Sequence, residues 1–285
     1  MDNKIVCLID GSGYAQSVCD HAAWLATRGQ YALFLLHVLG RRNGVDKNAD
    51  LSGSIGLGAR TALLEELAEV DGQKARLANK RGRAILDDAR ERVSSLGASY
   101  VTTKLCNGQL IETMRDYEPD ADMLIIGKRG EASNFDMEHL GSNLERVVRS
   151  SSKPVLVASR EFQPINKVMI AFDGGASAIK AVTHIASSEA YKGLEILLVQ
   201  AGAETSIARQ QLEGAAATLR DDGYSVESKF IEGQPDRVIA ETVDERSIDL
   251  LIMGAYGHSR IRNLIIGSTT TQMLAACKIP VLLFR

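Results

Sequence analysis

Aromatic residues are scarce in this 285-residue chain, at 5%, and proline occurs only 5 times. A core so short of rings has to be built from Ala, Val, Ile and Leu. That mix suits parallel strands buried on both faces beneath helices. Neither sign of charge dominates, since the formal net charge is -3. This excludes a strong electrostatic case for nucleic acid or an anionic membrane as partner. The longest apolar runs, such as Ala32 to Leu36, fall far short of the ~20 residues of a membrane span. The opening MDNKIVCLIDGSG has no charged segment followed by a long apolar one, so no targeting signal is read there. The four cysteines, at 7, 19, 106 and 277, have neither zinc-ribbon nor C-x-x-C spacing. His21, His37, His139, His184 and His258 form no metal-spaced pair, and no metal site is expected. Buried thiols in a soluble, cytoplasmic protein follow as the expectation. Catalytic signatures are absent too. There is no G-x-x-x-x-G-K-[ST] phosphate loop and no G-x-S-x-G elbow, and Gly53-x-x-Gly56-x-Gly58 follows no strand.

What is present is a duplication of domain size. KIVCLIDGSG (4–13) answers KVMIAFDGG (167–175), and YALFLLHVLG (31–40) answers LEILLVQAG (194–202). Asn107-Gly108-Gln109 answers Glu232-Gly233-Gln234, ADMLIIGKRG (121–130) answers IDLLIMGAYG (248–257), and SKPVLVASR (152–160) answers KIPVLLFR (278–285). The pairs keep the same order in both halves. Between the apolar runs lie stretches with helical spacing: Gln16 to Ala26, Ala84 to Leu96, Ala178 to Ala186 and Ala208 to Arg220. Strands alternating with helices give βαβ units. The expected fold is α/β: two tandem doubly wound, Rossmann-like domains, each with a five-stranded parallel sheet.

Between its second strand and the Asn-Gly-Gln element the first half is about 35 residues longer. Gly40 to Gly58, rich in Gly, Asn, Asp and Ser, reads as a surface loop, and Thr61 to Lys80 as a helix. Pro164, within Glu161 to Asn166, marks a linker, so the domains are placed at 1–160 and 161–285.

The chemistry is carried by the end of the fourth strand in the second half. After Gly254 come Gly257, nine residues, and Gly267-Ser268-Thr269 opening a helix. Glycines there let the backbone turn tightly and approach a ligand. Hydroxyls beside the unsatisfied amides and positive dipole end of a helix suit a triphosphate, although Ser268 alone would serve as an N-cap. Asp173 ends the first strand, where a carboxylate can accept hydrogen bonds from ribose or adenine or simply shape the turn into Gly174-Gly175. Met253 can pack against a base or belong to the core. In the first half Asp10, Gly127, Gly130 and Gly141-Ser142 match, but ten residues intervene instead of nine. That loop carries Glu131, Asp136 and Glu138, which oppose a triphosphate unless Lys128 and Arg129 compensate. His37 and Val38, matched with Val199 and Gln200, are placed beside the base. Arg146, Arg149 and Arg160 read as a solvated face.

The pattern G-x2-G-x9-G-[S/T], with an Asp after the first strand and a K-x-P-V-like last strand, resembles the ATP-binding universal stress proteins. The resemblance covers nearly the whole chain, twice, as in the tandem form of that family. It implies that Asp173 contacts adenosine, that Gly254 and Gly257 approach ribose and phosphate, and that Gly267, Ser268 and Thr269 hold phosphates. Asp10, Gly127, Gly130, Gly141 and Ser142 are the corresponding set in the first half. It also implies an ATP or AMP ligand with Mg2+ at the phosphates, dimerisation through the last strands, and a regulatory role in stress response without dedicated enzymatic activity. The two halves can form an intramolecular pseudo-dimer, or two chains a homodimer. The alternatives are a nucleotide-free dimerisation scaffold and an adenylate-forming enzyme. For the latter, the loop Asp10-Gly11-Ser12-Gly13 lacks the expected S-G-G-x-D-S or H-x-G-H pattern.

Overall fold

A computed structural model of the chain describes residues 3–40, 57–130, 141–255, 274 and 277–285, with side chains at all of these except 57–64 and 142. In the first half the elements run β1 (Lys4–Leu8), α1 (Ala15–Gly29), β2 (Ala32–Gly40), α2 (Leu57–Ser95), β3 (Val101–Gly108), α3 (Leu110–Tyr117), β4 (Met123–Gly127), α4 (Ser142–Ser150) and β5 (Val155–Ala158). The second half repeats the alternation with β6 (Lys167–Ala171), α5 (Ala176–Ser187), β7 (Glu195–Ala201), α6 (Ser206–Asp221), β8 (Ser225–Ile231), α7 (Pro235–Glu245), β9 (Leu250–Gly254) and β10 (Val281–Phe284).

The strands form one ten-stranded sheet in the order β3-β2-β1-β4-β5-β10-β9-β6-β7-β8. Every pairing is parallel except that of β5 with β10, which runs antiparallel with Leu156 opposite Leu282. The α/β fold expected from the alternating pattern is therefore what forms, and the last strands of the two halves meet at the centre. Burial follows position. Leu124, Ile125, Leu251 and Ile252, in the interior strands, are buried, whereas β3 and β8 at the two edges largely alternate between more and less exposed positions. On one face Ile5, Cys7, Leu156 and Leu282 pack with α1, α2, α5 and α6; on the other Val6, Leu124, Val157 and Leu283 pack with α3, α4 and α7. Among the described residues no helix is long and apolar enough to cross a membrane.

The duplication extends to individual hydrogen bonds. Asp122 accepts the Lys4 amide at 2.7 Å and donates its own amide to the Lys4 carbonyl at 2.8 Å. Asp249 does the same for Lys167, at 2.9 Å in each direction. Gly108 and Gly233, in the repeated Gly-Gln elements, have φ of +152° and +146°. This sharp turn sets Gln109 and Gln234 as the N-caps of α3 and α7.

Two helical stretches expected separately, Thr61 to Lys80 and Ala84 to Leu96, form one 39-residue helix, α2. Gly82 does not break it. A Cβ there would lie 2.7 Å from Leu105 Cδ1 and 3.0 Å from His37 Cδ2, so the glycine lets the helix press onto the sheet. Most of the loop expected over Gly40 to Gly58 lies outside the described residues.

Further contacts tie the halves beside the central strands. Arg28 Nε donates to the Ala190 carbonyl at 2.6 Å, and the Tyr31 and Ser188 hydroxyls lie 3.2 Å apart. Lys128 Nζ donates to the Cys277 carbonyl at 2.8 Å, and Arg285 Nη1 to the Arg149 carbonyl at 2.6 Å.

Candidate functional site

The order β3-β2-β1-β4-β5 makes the chain reverse direction across the sheet between β1 and β4, which pair in parallel as far as Leu8 and Ile126. In open α/β sheets that switch point is where a crevice opens. Asp10 follows β1 there. Its Oδ1 accepts the Ser12 amide at 3.0 Å. Ser12 Oγ accepts the Tyr14 amide at 3.2 Å and donates to the Arg129 carbonyl at 3.3 Å, tying the loop after β1 to the loop after β4.

Glycines make this approach feasible. A Cβ at Gly127 would sit 2.7 Å from Tyr14 Cβ, and one at Gly130 would sit 3.0 Å from Asp10 Oδ2. At Gly141 it would meet Arg129 Cα at 3.4 Å. Three of the glycines read from the motif are thus gathered with Asp10 around one opening.

That opening is a cavity of ≈ 580 Å³, within the range of about 300–1,000 Å³ typical of small-molecule sites. Leu36, Val38 and Ile126 give it an apolar wall, Gly108, Gln109 and Leu110 another side, and Gly141, Asn143 and Leu144 a third. Its charged lining is Asp10, Arg129 and Arg146, two guanidiniums to one carboxylate. Helix α4 starts at its rim, with Gly141 as N-cap and the Glu145 amide as the first to bond back to Gly141, at 3.3 Å. The amides before Glu145 have no partner within the helix and carry the positive end of its dipole. An apolar slot leading to guanidiniums and a helix start can take a flat ring at one end and an anion at the other.

The second half reproduces the part of this geometry that is described. Asp173 follows β6, and its Oδ1 accepts the Gly175 amide at 2.9 Å, so the carboxylate shapes the turn just as Asp10 does. A Cβ at Gly254 would stand 3.1 Å from Ser177 Cβ, the counterpart of Gly127 against Tyr14. Met253 is buried in the core. It precedes Gly254 as Ile126 precedes Gly127, and Ile126 lines the first-half cavity. Gly257, Gly267, Ser268 and Thr269 lie outside the described residues, as does the side chain of Ser142.

Some assignments read from the sequence change. The register pairs Leu36 with Leu8 and Val199 with Ala171, so His37 corresponds to Gln200 and Val38 to Ala201, one residue on from the expected match. Val38 lines the cavity, whereas His37 points to the opposite face beneath Gly82, with Nδ1 2.6 Å from the Ile9 carbonyl oxygen. Lys128 faces Cys277 rather than the cavity, and burial lowers its pKa. Arg146, read as part of a solvated face, is exposed but lines the cavity, one turn after Asn143 on α4. The acidic residues Glu131, Asp136 and Glu138 lie outside the described residues.

Comparison with known proteins gives the family and the fold. The universal stress protein family model matches residues 1–159 and 183–285. The universal stress protein Slr1230 of Synechocystis sp. is 38% identical over 288 residues, covering 100% of both chains. The crystal structure of a universal stress protein from Archaeoglobus fulgidus superposes with a TM-score of 0.72 at 18% identity, covering 99% of this chain and 98% of that one. A functionally unknown protein of Pseudomonas aeruginosa, PA1789, has a TM-score of 0.61 at 16% identity, covering 99% and 92%. At such identities these two structures speak to the fold alone.

Proposed function

Because the chain belongs to the universal stress protein family, we propose that it is an adenine-nucleotide-binding regulatory protein of the stress response, not an enzyme. The observation that carries the reading is the ≈ 580 Å³ cavity at the β1–β4 switch point, which joins an apolar slot to two guanidiniums and the start of α4. In this reading the base lies against Leu36, Val38 and Ile126, and the Asp10 carboxylate accepts hydrogen bonds from the nucleoside. Arg129, Arg146 and the first amides of α4 take the phosphates of ATP or AMP. Mg2+ would accompany the phosphates. The close backbone approaches at Gly127 and Gly130 support the fit, because a Cβ there would press on Tyr14 and on the Asp10 carboxylate.

The C-terminal half is proposed to bind ATP in the same manner through Asp173, Met253, Gly254, Gly257, Gly267, Ser268 and Thr269. Its spacing matches the phosphate pattern without a gap. The antiparallel pairing of β5 with β10 supports reading the halves as an intramolecular pseudo-dimer. Four unpaired cysteines, three of them buried, accord with a cytoplasmic location. Any ATP hydrolysis would be slow and incidental.

The test is to denature the purified protein, assay the supernatant for adenine nucleotide, and follow the thermal shift with added ATP or AMP. Arg146→Ala should weaken first-half binding by about tenfold, the worth of one charged hydrogen bond. Gly267→Val should remove the second-half equivalent. A supernatant free of nucleotide, together with no thermal shift from either ligand, would overturn the reading.

A further inference from the structure

Helix α2 is far longer than its counterpart, α6, with 39 residues against 16. Among its described side chains, α2 packs on the body through Ile85, Leu86, Ala89 and Val93. Over 65–78 every residue is exposed. The exposed residues include Leu67, Val70 and Leu77, at 45%, 39% and 68%. At about 100° per residue these three and Lys74 fall on one stripe roughly 80° wide, the a and d spacing of a helix pair. The side that meets the body is centred about a quarter of a turn from this stripe and reaches its Leu67 edge at Ile85; the stripe is open because the helix over 65–78 is exposed all round.

Charge along the arm is segregated: Glu66, Glu69 and Asp71 come first, then Lys74, Arg76 and Lys80. Such an arm is complementary to itself only when reversed. We propose that α2 is a self-association surface, through which a second copy of this chain pairs antiparallel about a two-fold axis near Gly72. In that register Leu67 faces Leu77 of the other copy, and Val70 lies along the aliphatic stem of Lys74. Glu66 flanks Lys80 twice, once on each side of the axis. A parallel pair would instead set Glu66 beside Asp71 of the other chain, so like charges oppose it.

Sedimentation velocity of the full chain tests this. The dimer fraction should rise with concentration up to ~100 µM and fall with salt. Leu67→Glu with Leu77→Glu should leave a monomer with an unchanged circular dichroism spectrum, because both sites are exposed. Glu66→Lys and Lys80→Glu should each raise the dimer Kd by about tenfold through two like-charge contacts. Mixing those two single variants should restore dimers, since each then meets its complement. A wild type that stays monomeric throughout overturns the proposal, as does a Leu67→Glu, Leu77→Glu protein that sediments like wild type, or a mixture that fails to recover.

Discussion

The halves of this molecule agree where the sheet dictates and part where it does not. Lys4 with Asp122 and Lys167 with Asp249 make the same reciprocal clamp. Asp10 and Asp173 shape the same turn, and Gly127 and Gly254 make the same close approach. The crossover from second to third strand differs: 39-residue α2 stands against 16-residue α6. A parallel strand pair fixes where a crossover helix must return, but not how far it may project first. The duplicated frame repeats the strand-end turns in both halves while the connection is free to acquire a separate use. The largest effects should come from breaking the frame, and smaller ones from positions where the halves differ.

The central seam is where the halves become one object. Leu156 and Leu282 face each other across it at 3% and 0% exposure. Leu156→Ala and Leu282→Ala should each cost about 3 kcal/mol, the usual loss for a buried leucine. Unfolding in urea, followed by the fluorescence of Trp24 in the first half and by circular dichroism of the whole chain, should give coincident transitions in both variants. A dichroism change that precedes the Trp24 change in Leu282→Ala would mean the halves unfold separately.

The strand-four glycines come next. Gly127→Ala places its methyl 2.7 Å from Tyr14 Cβ, and Gly254→Ala places its methyl 3.1 Å from Ser177 Cβ. Neither neighbour is the movable end of a side chain, so backbone must shift. The first substitution should cost about 2 kcal/mol and the second about 1 kcal/mol. Equal losses in a urea titration would show that the two loops yield alike.

Much of the frame was legible because it is written in local chemistry. The apolar runs ended by Asp-Gly, and the Gly-Gln elements whose glycines take positive φ, signal the same turns in sequence as in space. Helix α2 was not legible as one piece, because Gly82, between the two expected stretches, lowers local helix propensity. The reason for Gly82 is its contact with Leu105 and His37, which are distant in sequence. The match of His37 with Val199 was out by one residue, and in a strand one residue reverses the face. Arg146 was missed for a related reason: which face of α4 meets the crevice depends on where the helix starts, and that is set by Gly141 lying against Arg129.

The smallest expected effect sharpens the comparison further. His21 on α1 and His184 on α5 each stand seven residues beyond the side chain that meets the strand-four glycine, Tyr14 and Ser177. Both have a buried Nε2 without a hydrogen-bond partner. Burial lowers both pKa values, against a smaller opposing pull from the Ser17 carbonyl and Asp20 at His21 and from Asp122 at His184. Asp20 is itself paired with Arg92 at 2.6 Å, which limits its pull on His21. Aromatic rings flank both imidazoles: Phe162 lies 5.0 Å from His21, and Phe284 and Tyr191 lie 5.3 Å and 6.1 Å from His184. With folded pKa values below the unfolded value of about 6.5, the unfolded chain takes up protons first as pH falls. Stability is therefore full above about pH 7 and declines as pH drops through the unfolded value. His21 is 0% exposed, whereas His184 is half-buried. Replacing His21 with Leu should therefore flatten the stability-against-pH curve between about pH 7.5 and 5.5 more than replacing His184 with Phe does. The slope is the quantity to read, because loss of the 2.7 Å contact between His21 Nδ1 and the Ser17 carbonyl lowers stability at every pH without changing it. Equal flattening would mean that the two helices exclude water equally well, and an unchanged slope in both would mean that neither imidazole is held neutral by the fold.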